Sequence, residues 1–377
     1  MPRILHIADL HLGWRPRDLD DARANARRER RDGLLAEAAR TAIDEHVDLV
    51  VIAGDLFETF DPDPALAEHA IAELERLCAA GIEVVTVPGN HDELTYAGSV
   101  YRQLAERWPG VLITSPMPAK AATLDLRGAR VHVYGLAYVG GVTDVGAATA
   151  QLPLPEGEGC HVFVAHGTLV GSGGSIIAGE RSLPLDRNAL ATAGYDYVAL
   201  GHVHVAGTHR LARSVAVYPG CVGGKGLDDL GSRHWTIVDL APGRAEVRAV
   251  PASIQPLRHM TLDVTGLDGA EAVHDAVCSA ADGDALVRVQ LVGALPAPLR
   301  EGELEARARS AFFHLEVRDT TTTVSPALLD AWSAAPTVRG TFVRRMRLRL
   351  ELASDDAERA RVTRALLHGI DALEEGR

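Results

Sequence analysis

At 377 residues the chain is longer than one ordinary domain, so two or three domains are expected. Its 47% apolar and 24% charged composition is typical of a globular protein, and no apolar run approaches the roughly 18 residues of a membrane span. The net charge of −13 excludes a surface that is basic all over, and the four cysteines form no Cys-x-x-Cys pair. These features predict a cytoplasmic protein with reduced cysteines and no membrane contact.

The N-terminal part of the chain predicts a parallel sheet covered by helices. Apolar runs at 3–8, 49–53 and 82–87 predict strands, and apolar residues recur at helical spacing at 36–45 and 66–77 between them. Unbroken apolar strands are typical of parallel sheets that are buried on both faces. This half therefore predicts an α/β domain.

The next part of the chain predicts several short strands. They lie at 111–114, 122–126, 131–136, 162–165, 198–200 and 215–218. Because the first three have no helices between them, an antiparallel second sheet is expected. A hairpin around Pro242-Gly243 closes the domain. The Gly-rich segment at 171–174 is expected to be a mobile loop near the site.

Beyond this domain, strands and helices alternate between 258 and 318. A linker is expected at 320–336, and an amphipathic helix at 355–374. The segment at 342–352 fits a strand and a helix equally well. We therefore divide the chain into a first domain (1–254), a small α+β domain (255–322), and a linker with C-terminal helices (323–377).

Polar residues cluster where five of the predicted strands end. The motifs are Ala8-Asp9-Leu10-His11, Gly54-Asp55, Gly89-Asn90-His91-Asp92, His166-Gly167 and Gly201-His202-Val203-His204. In open α/β sheets, sites form beyond the carboxyl ends of the strands. Carboxylate, imidazole and amide oxygen ligands suit divalent ions used in phosphate hydrolysis, and no cysteine lies in these motifs. Together the motifs predict a two-metal hydrolase site.

The spacing of these residues suggests how they share the ions. In extended backbone, side chains at i and i+2 point the same way with Cα atoms about 6.6 Å apart, so Asp9 and His11 can converge on one ion. His202 and His204 could be divided between two ions, which in such sites lie about 3.5–4 Å apart. The two oxygens of Asp55 suit a bridging ligand.

The remaining residues of the motifs have other expected roles. Asn90 offers a neutral oxygen, and His166 completes the shell of the second ion. His91 has no obvious ligand role beside Asn90, so we expect it to protonate the leaving oxygen, with Asp92 orienting its ring.

The order of these motifs resembles the calcineurin-like metallophosphoesterase superfamily. The closer resemblance is to its DNA-repair exonuclease branch, the SbcD-like nuclease subunits. It is carried by residues 8–13, by Gly54-Asp55-Leu56-Phe57 and by residues 194–204. The resemblance implies a four-layer αββα sandwich, followed by a small DNA-capping domain and C-terminal helices that dock a partner.

The resemblance also implies how the site is loaded and what works with it. One ion would be held by Asp9, His11, Asp55 and His204, and the other by Asp55, Asn90, His166 and His202. The usual metal is Mn²⁺, and His91 acts on the transition state and leaving group. The implied partners are DNA and an SMC-like, ABC-type coiled-coil ATPase, with a homodimer as a further option.

Two positions depart from the family pattern. Glu58 follows Gly-Asp-Leu-Phe where archaeal and eukaryotic members have a histidine, and Cys221 replaces the serine of a Tyr-Pro-Gly-Ser stretch. A Gly-rich stretch at 220–226 superficially resembles a P-loop, but no Ser or Thr follows Lys225, so nucleotide binding there is rejected.

An arginine-rich segment after the first motif has two interpretations, a solvated helix face or a contact to the DNA backbone. Its members are Arg23, Arg27, Arg28, Arg30 and Arg31. For the whole chain, we expect a two-metal-dependent DNA exonuclease, with endonuclease activity as an addition. The alternatives are a small-molecule or nucleotide phosphodiesterase, and a non-catalytic DNA-binding subunit.

Overall fold

The computed structural model describes residues 1–140, 152–171, 181–229, 233–300 and 302–375, so most of the segment predicted as a Gly-rich loop at 171–174 lies outside it. The chain forms two compact units, Met1–Leu257 and Arg258–Arg377, each with its own apolar core. No described helix is both long and apolar enough to cross a membrane. The predicted α/β class is confirmed, because helices alternate with mainly parallel strands.

The first sheet of the N-terminal unit has six strands. They are β1 (Arg3–Ile7), β2 (Leu49–Ala53), β3 (Glu83–Val87), β4 (Val111–Leu112), β13 (His234–Ala241) and β14 (Arg244–Pro251). The strand order is β14-β13-β1-β2-β3-β4, with β1 to β4 parallel, β13 antiparallel to β1, and β14 antiparallel to β13. Every residue of β2 is buried, as its unbroken apolar run predicts.

The second sheet also has six strands. They are β5 (Ala119–Leu126), β6 (Ala129–Gly135), β7 (Cys160–His166), β10 (Tyr197–Gly201), β11 (Gly207–Leu211) and β12 (Ser214–Tyr218). Between β7 and β10 lie two short paired strands, β8 (Thr168–Val170) and β9 (Pro184–Asp186). The order is β11-β12-β10-β7-β6-β5, with parallel strands in the centre. The prediction of an antiparallel sheet from the segments at 111–114, 122–126 and 131–136 is confirmed for the pair β5 and β6, but wrong for the first segment, because β4 joins the first sheet parallel to β3.

Helices cover both sheets from outside. They are α1 (Asp21–Asp32), α2 (Leu34–Asp44), α3 (Pro64–Ala79), α4 (Val100–Gln103) and α5 (Arg187–Ala193). Alternate residues of β7 separate the layers: Val162 and Val164 join the core between the sheets, whereas Phe163 and Ala165 pack in a second cluster with Leu190 of α5. On the other side, α2 and α3 pack together over the first sheet. The result is the expected αββα arrangement.

The second unit begins with a three-stranded sheet. Its strands are β15 (Leu257–Asp263), β16 (Asp282–Val292) and β17 (Phe312–Asp319), with helices α6 (Gly269–Cys278) and α7 (Glu303–Ala308) between them. Three helices follow: α8 (Pro326–Ala334), α9 (Val338–Glu351) and α10 (Asp356–Glu375). The prediction of a linker at 320–336 is wrong where α8 forms, because Ser325 caps the Leu328 N–H and Pro326 starts the helix.

We predict that Ile71→Ala lowers the free energy of unfolding by about 2–5 kcal/mol, because Ile71 of α3 is fully buried under the first sheet. Glu75→Ala on the exposed side of the same helix is the matched control, and its effect stays within about 0.5 kcal/mol. Urea denaturation of both variants measures the difference. Equal midpoints for the two variants would contradict the packing described for α3.

Candidate metal centre

The sequence-predicted ligands converge at one edge of the paired sheets. Each one lies at or just beyond the carboxyl end of a central strand, β1, β2 or β3 of the first sheet and β7 or β10 of the second. The structure brings all seven together: Asp9, His11, Asp55, Asn90, His166, His202 and His204. Convergence of five strands is possible because β2 packs directly against β7 and β10.

One half of the centre is formed by Asp9, His11 and His204. The Nε2 atoms of His11 and His204 are 3.2 Å apart. Oδ1 of Asp9 lies 4.0 Å from His204 Nε2, and Oδ2 of Asp55 lies 3.7 Å from His11 Nε2. Two imidazole nitrogens and two carboxylates therefore face a common point.

The other half is formed by Asn90, His166 and His202. Oδ1 of Asn90 is 3.0 Å from His166 Nε2 and 2.9 Å from His202 Nδ1. Oδ2 of Asp55 is 3.3 Å from His166 Nε2. The same carboxylate oxygen of Asp55 thus faces both halves, which is the arrangement of a bridging ligand.

The donor set fits divalent cations. Bonds of about 2.0–2.2 Å to one ion leave neighbouring ligand atoms about 3–3.5 Å apart, close to most of the separations found here. Asp9 and Asp55 are buried, and among the described residues their ion pairs are to histidines, with no Lys or Arg. Buried carboxylates need such compensation, since desolvation of an unpaired charge costs several kcal/mol.

Burial also tunes the ionisation of the site. It raises the pKa of Asp9 to about 6 and lowers the pKa of both His11 and His202 to about 4, which keeps the two imidazoles neutral, as metal ligands must be. Burial opposes ionisation of Asp55 and His166 as well, but their mutual contact prevails. It holds the pKa of Asp55 well below its usual range and raises the pKa of His166 to about 9. An ion bound there would displace that imidazole proton.

The backbone of the centre is strained. Among the described residues, seven other than glycine have positive φ, and four of them are predicted ligands: Asp9, His11, Asp55 and His202. Such conformations cost about 1–3 kcal/mol each and persist where the surroundings impose them. Gly54 has φ +89°, and a Cβ there would lie 2.2 Å from His166 Nδ1. Glycine is therefore required before Asp55.

His91 lies at the open side of the centre, with its side chain 36% exposed. Its backbone N–H donates to Asp55 Oδ1 at 2.8 Å, and its ring Nδ1 lies 3.1 Å from the carbonyl oxygen of Glu58. The ring packs edge-on against the His11 ring, with centroids 4.8 Å apart. This position beside the proposed ligands is compatible with the predicted role of His91 as the acid for the leaving oxygen.

The expected role of Asp92 requires correction. Its buried carboxylate accepts hydrogen bonds from the N–H groups of Gly89 and Phe57 and from the Tyr101 hydroxyl, and none of its described contacts is to the His91 ring. The chain turns after Gly89 so that Asp92 points back into its own loop. Asp92 therefore fastens the loop, and the carbonyl of Glu58 orients the ring instead.

The arginine-rich segment also differs from expectation. Arg27 and Arg31 are buried and donate to backbone carbonyls, Arg27 to Gly223 and Gly224, and Arg31 to Leu10 and Gly224. Because α1 turns these two side chains inward, the prediction that they contact DNA is wrong for both. Arg23 pairs with Asp20, while Arg28 and Arg30 are exposed.

Sequence reasoning missed three residues that contact the centre. In the sequence, Glu58 stands out only as a departure from a family pattern and Lys225 only as part of a false P-loop, and no motif indicates Asp229. Glu58 lies 2.9 Å from His11 Nδ1, and Asp229 lies 3.2 Å from His204 Nδ1. No spacing rule links residues so far apart in the chain.

Residues 2–206, which contain every predicted ligand and His91, match the family described as calcineurin-like phosphoesterase. The chain belongs to this family. The phosphoesterase is 27% identical over 244 residues to the uncharacterized metallophosphoesterase YhaO of Bacillus subtilis, covering 63% of this chain and 57% of that one.

Two further relatives are named for DNA repair or nuclease action. The DNA double-strand break repair protein Mre11 of Methanopyrus kandleri is 31% identical over 230 residues, which cover 58% of this chain and 48% of the relative. A subunit of the nuclease SbcCD of Bacillus subtilis is 29% identical over 279 residues, 64% and 67% of the two chains. The resemblance to the SbcD-like branch is thus confirmed at modest identity, and the phosphoesterase spans about half the length of the first two relatives.

We predict that adding Mn²⁺ to the metal-free phosphoesterase raises its melting temperature. An ion that binds only the folded state, at a concentration about 100 times its Kd, adds about 2.7 kcal/mol to the free energy of unfolding. Asp55→Asn loses most of this increase because one Asp55 oxygen faces both halves of the centre. Asp125→Asn, on the exposed edge strand β5, is the matched control and retains it. An undiminished increase in Asp55→Asn would exclude Asp55 as a bridging ligand.

Proposed function

We propose that the phosphoesterase is a two-metal-dependent DNA exonuclease that acts in the repair of DNA ends. The observation that supports this most is the sharing of one Asp55 oxygen between two clusters of ligands. Two relatives are named as a break-repair protein and as part of a nuclease, which favours DNA over other phosphodiesters.

The two halves of the centre are the proposed ion sites. Asp9, His11, Asp55 and His204 hold one ion, and Asp55, Asn90, His166 and His202 hold the other; we propose Mn²⁺ for both. When bound, such a pair supplies a hydroxide nucleophile near neutral pH and neutralises charge on the phosphate oxygens. The residues themselves fix the geometry, because the strained backbone at four of them is held by the sheets beneath.

His91 is the proposed acid for the leaving oxygen. Its Nδ1–H donates to the Glu58 carbonyl, which fixes the ring, and the protonated form of the ring then presents Nε2–H, whose proton passes to the leaving oxygen. The half-exposed ring stands at the rim, where a scissile phosphate would enter. The hydrogen bond from its backbone to Asp55 couples the position of the ring to the bridging carboxylate.

We propose that the substrate reaches the centre through one cleft. A polar cleft of about 450 Å³ borders the centre at Glu58. Further out it is lined by the basic Arg28 and by His69, and also by the carboxylates of Asp32, Asp61 and Asp63. With a net charge of −13, the phosphoesterase has to hold DNA locally, and the exposed Arg28 and Arg30 are the proposed backbone contacts. The same cleft has room for a single nucleotide, so a nucleotide phosphodiesterase is the second candidate function.

The partners and remaining parts of the chain are proposed by family analogy. An SMC-like, ABC-type coiled-coil ATPase is the proposed partner, because one relative is named as one subunit of a larger nuclease. Residues 255–322 would cap DNA and 323–377 would dock the ATPase, and α9 exposes apolar side chains at Val338 and Leu348. A homodimer and a cytoplasmic location complete the proposal.

We predict that His91→Ala abolishes degradation of end-labelled DNA in Mn²⁺ but keeps the Mn²⁺-dependent increase in melting temperature. Loss of general acid catalysis lowers the rate by about 10²–10⁴-fold, while His91 is not a proposed ligand. His368→Ala, an exposed position on α10, is the matched control with full activity. An active His91→Ala variant would exclude the proposed role.

The substrates decide between the candidate functions. Progressive shortening of duplex or single-stranded DNA from one end supports the exonuclease, and internal cuts in circular DNA reveal an endonuclease. Hydrolysis of a nucleotide diester, with DNA intact both alone and with the ATPase added, favours the second candidate. Metal-loaded protein that binds DNA and hydrolyses neither substrate identifies a non-catalytic protein.

We predict that Arg28→Ala and Arg30→Ala each reduce the slope of log K against log salt for DNA binding by about 1, because each removes one phosphate contact. Arg27→Ala instead lowers the free energy of unfolding, since the buried Arg27 holds the Gly223 and Gly224 carbonyls. Fluorescence anisotropy at several salt concentrations measures the slope. An unchanged slope for both exposed variants would rule out contact through α1.

A further inference from the structure

Two carboxylates stand behind two of the proposed ligands. Glu58 Oε2 lies 2.9 Å from His11 Nδ1, and Asp229 Oδ2 lies 3.2 Å from His204 Nδ1. On their other sides, the two rings turn their Nε2 atoms toward each other at 3.2 Å. Each imidazole is thus placed between a carboxylate and the centre of the same half of the site.

This placement determines which nitrogen of each ring carries the hydrogen. A carboxylate only accepts hydrogen bonds, so each of these two rings, in its neutral form, carries its hydrogen on Nδ1 and its lone pair on Nε2. In that form the two Nε2 lone pairs, only 3.2 Å apart, repel each other unless a proton or a metal ion lies between them. Carboxylates in this position orient metal-binding histidines and raise their basicity.

Lys225 links the two carboxylates. Its Nζ is 2.7 Å from Glu58 Oε2, and its backbone N–H donates to Asp229 Oδ2 at 2.9 Å. Nζ also lies 3.4 Å from His11 Nδ1, but Glu58 is nearer to that nitrogen and accepts the hydrogen bond from its N–H. The loop that carries Lys225 and Asp229 is itself held by Arg27, by Arg31 and by Arg233, which donates to the Cys221 carbonyl at 2.6 Å.

The other half of the centre has no such support in the described residues. His166 Nδ1 faces the neutral carbonyl of Ala53 at 2.9 Å, and His202 uses Nδ1 itself toward Asn90. The two proposed ion sites therefore differ in the residues behind their ligands, although they share Asp55.

We propose that Glu58 and Asp229, linked by Lys225, are positioning residues that strengthen ion binding at the half formed by Asp9, His11 and His204, and leave the other half unaffected. This inference rests on the proposed two-ion function. It assigns a role to Glu58, which replaces a histidine of the family pattern, and to Asp229, which lies beyond the segment that matches the family.

The test is titration of the metal-free, full-length protein with Mn²⁺ by calorimetry, and with Co²⁺ followed by its visible absorption. Asp229→Asn and Glu58→Gln keep size while removing the charge, and Asp228→Asn, at the exposed neighbouring position, is the matched control. We expect one of two binding steps to weaken about 10–100-fold in the first two variants. The other step and the control stay unchanged.

A double-mutant cycle then identifies the affected half. With His204→Ala in place, Asp229→Asn has no further effect on Mn²⁺ affinity, whereas with His166→Ala in place its effect persists in full. A general structural role for Asp229 would weaken binding in both backgrounds and would overturn the proposal. Loss of a third bound ion in Glu58→Gln would also overturn it, since Glu58 would then itself be a ligand with His11 and His91.

The outcome is independent of the nuclease assay. If the variants weaken only one of the two binding steps, while the wild-type protein leaves DNA intact both alone and with the ATPase added, the proposed substrate is overturned and the inference is supported. If the variants instead lose Mn²⁺ affinity equally at both binding steps, the inference is overturned and the proposed nuclease function is unaffected. If Asp229→Asn fails to fold, Glu58→Gln and Lys225→Met test the same link, and both are expected to weaken the same step.

Discussion

The buried negative charge of Asp9 and Asp55 is the constraint on which the rest of the site depends. Both carboxylates lie inside the protein, and their described ion pairs are to histidine side chains. Burying two negative charges is costly unless positive charge, such as that of a bound cation, compensates them. Neutral His11 and His202 and the amide of Asn90 complete a shell that suits divalent cations. The donor set of the centre therefore suits divalent ions, whose charge would compensate these carboxylates.

The fold provides the rigidity that such a shell needs. Positive φ at Asp9, His11, Asp55 and His202 is a cost that the packed strands below them impose. Gly54 allows the loops of the two sheets to meet, because a side chain there would collide with His166, and Gly89 allows neighbouring loops of the first sheet to meet, because a side chain there would collide with Asp55. Packing energy from the cores thus maintains a local geometry that the loops alone would not adopt.

Two buried arginines of α1 hold a loop beside the metal centre. Arg27 and Arg31 hold the carbonyls of the loop that carries Lys225 and Asp229, and this loop reaches the rear of His204. A segment that looks basic in sequence is therefore divided between the interior and the surface. Only its outward side chains, such as Arg28, remain candidates for contact with an acidic substrate, which fits a chain whose net charge is −13.

The sequence by itself determined the fold class and which residue types stand at the strand ends, because both follow from local apolar patterns and short motifs. It also identified the family, since all the motifs lie within residues 2–206. Tertiary structure decided the parallel centre of the second sheet, the inward course of Arg27 and Arg31, and the partners of Asp92. It alone revealed Glu58 and Asp229 behind two histidines, because side-chain contacts between distant segments depend on packing and leave no periodic signal in the chain.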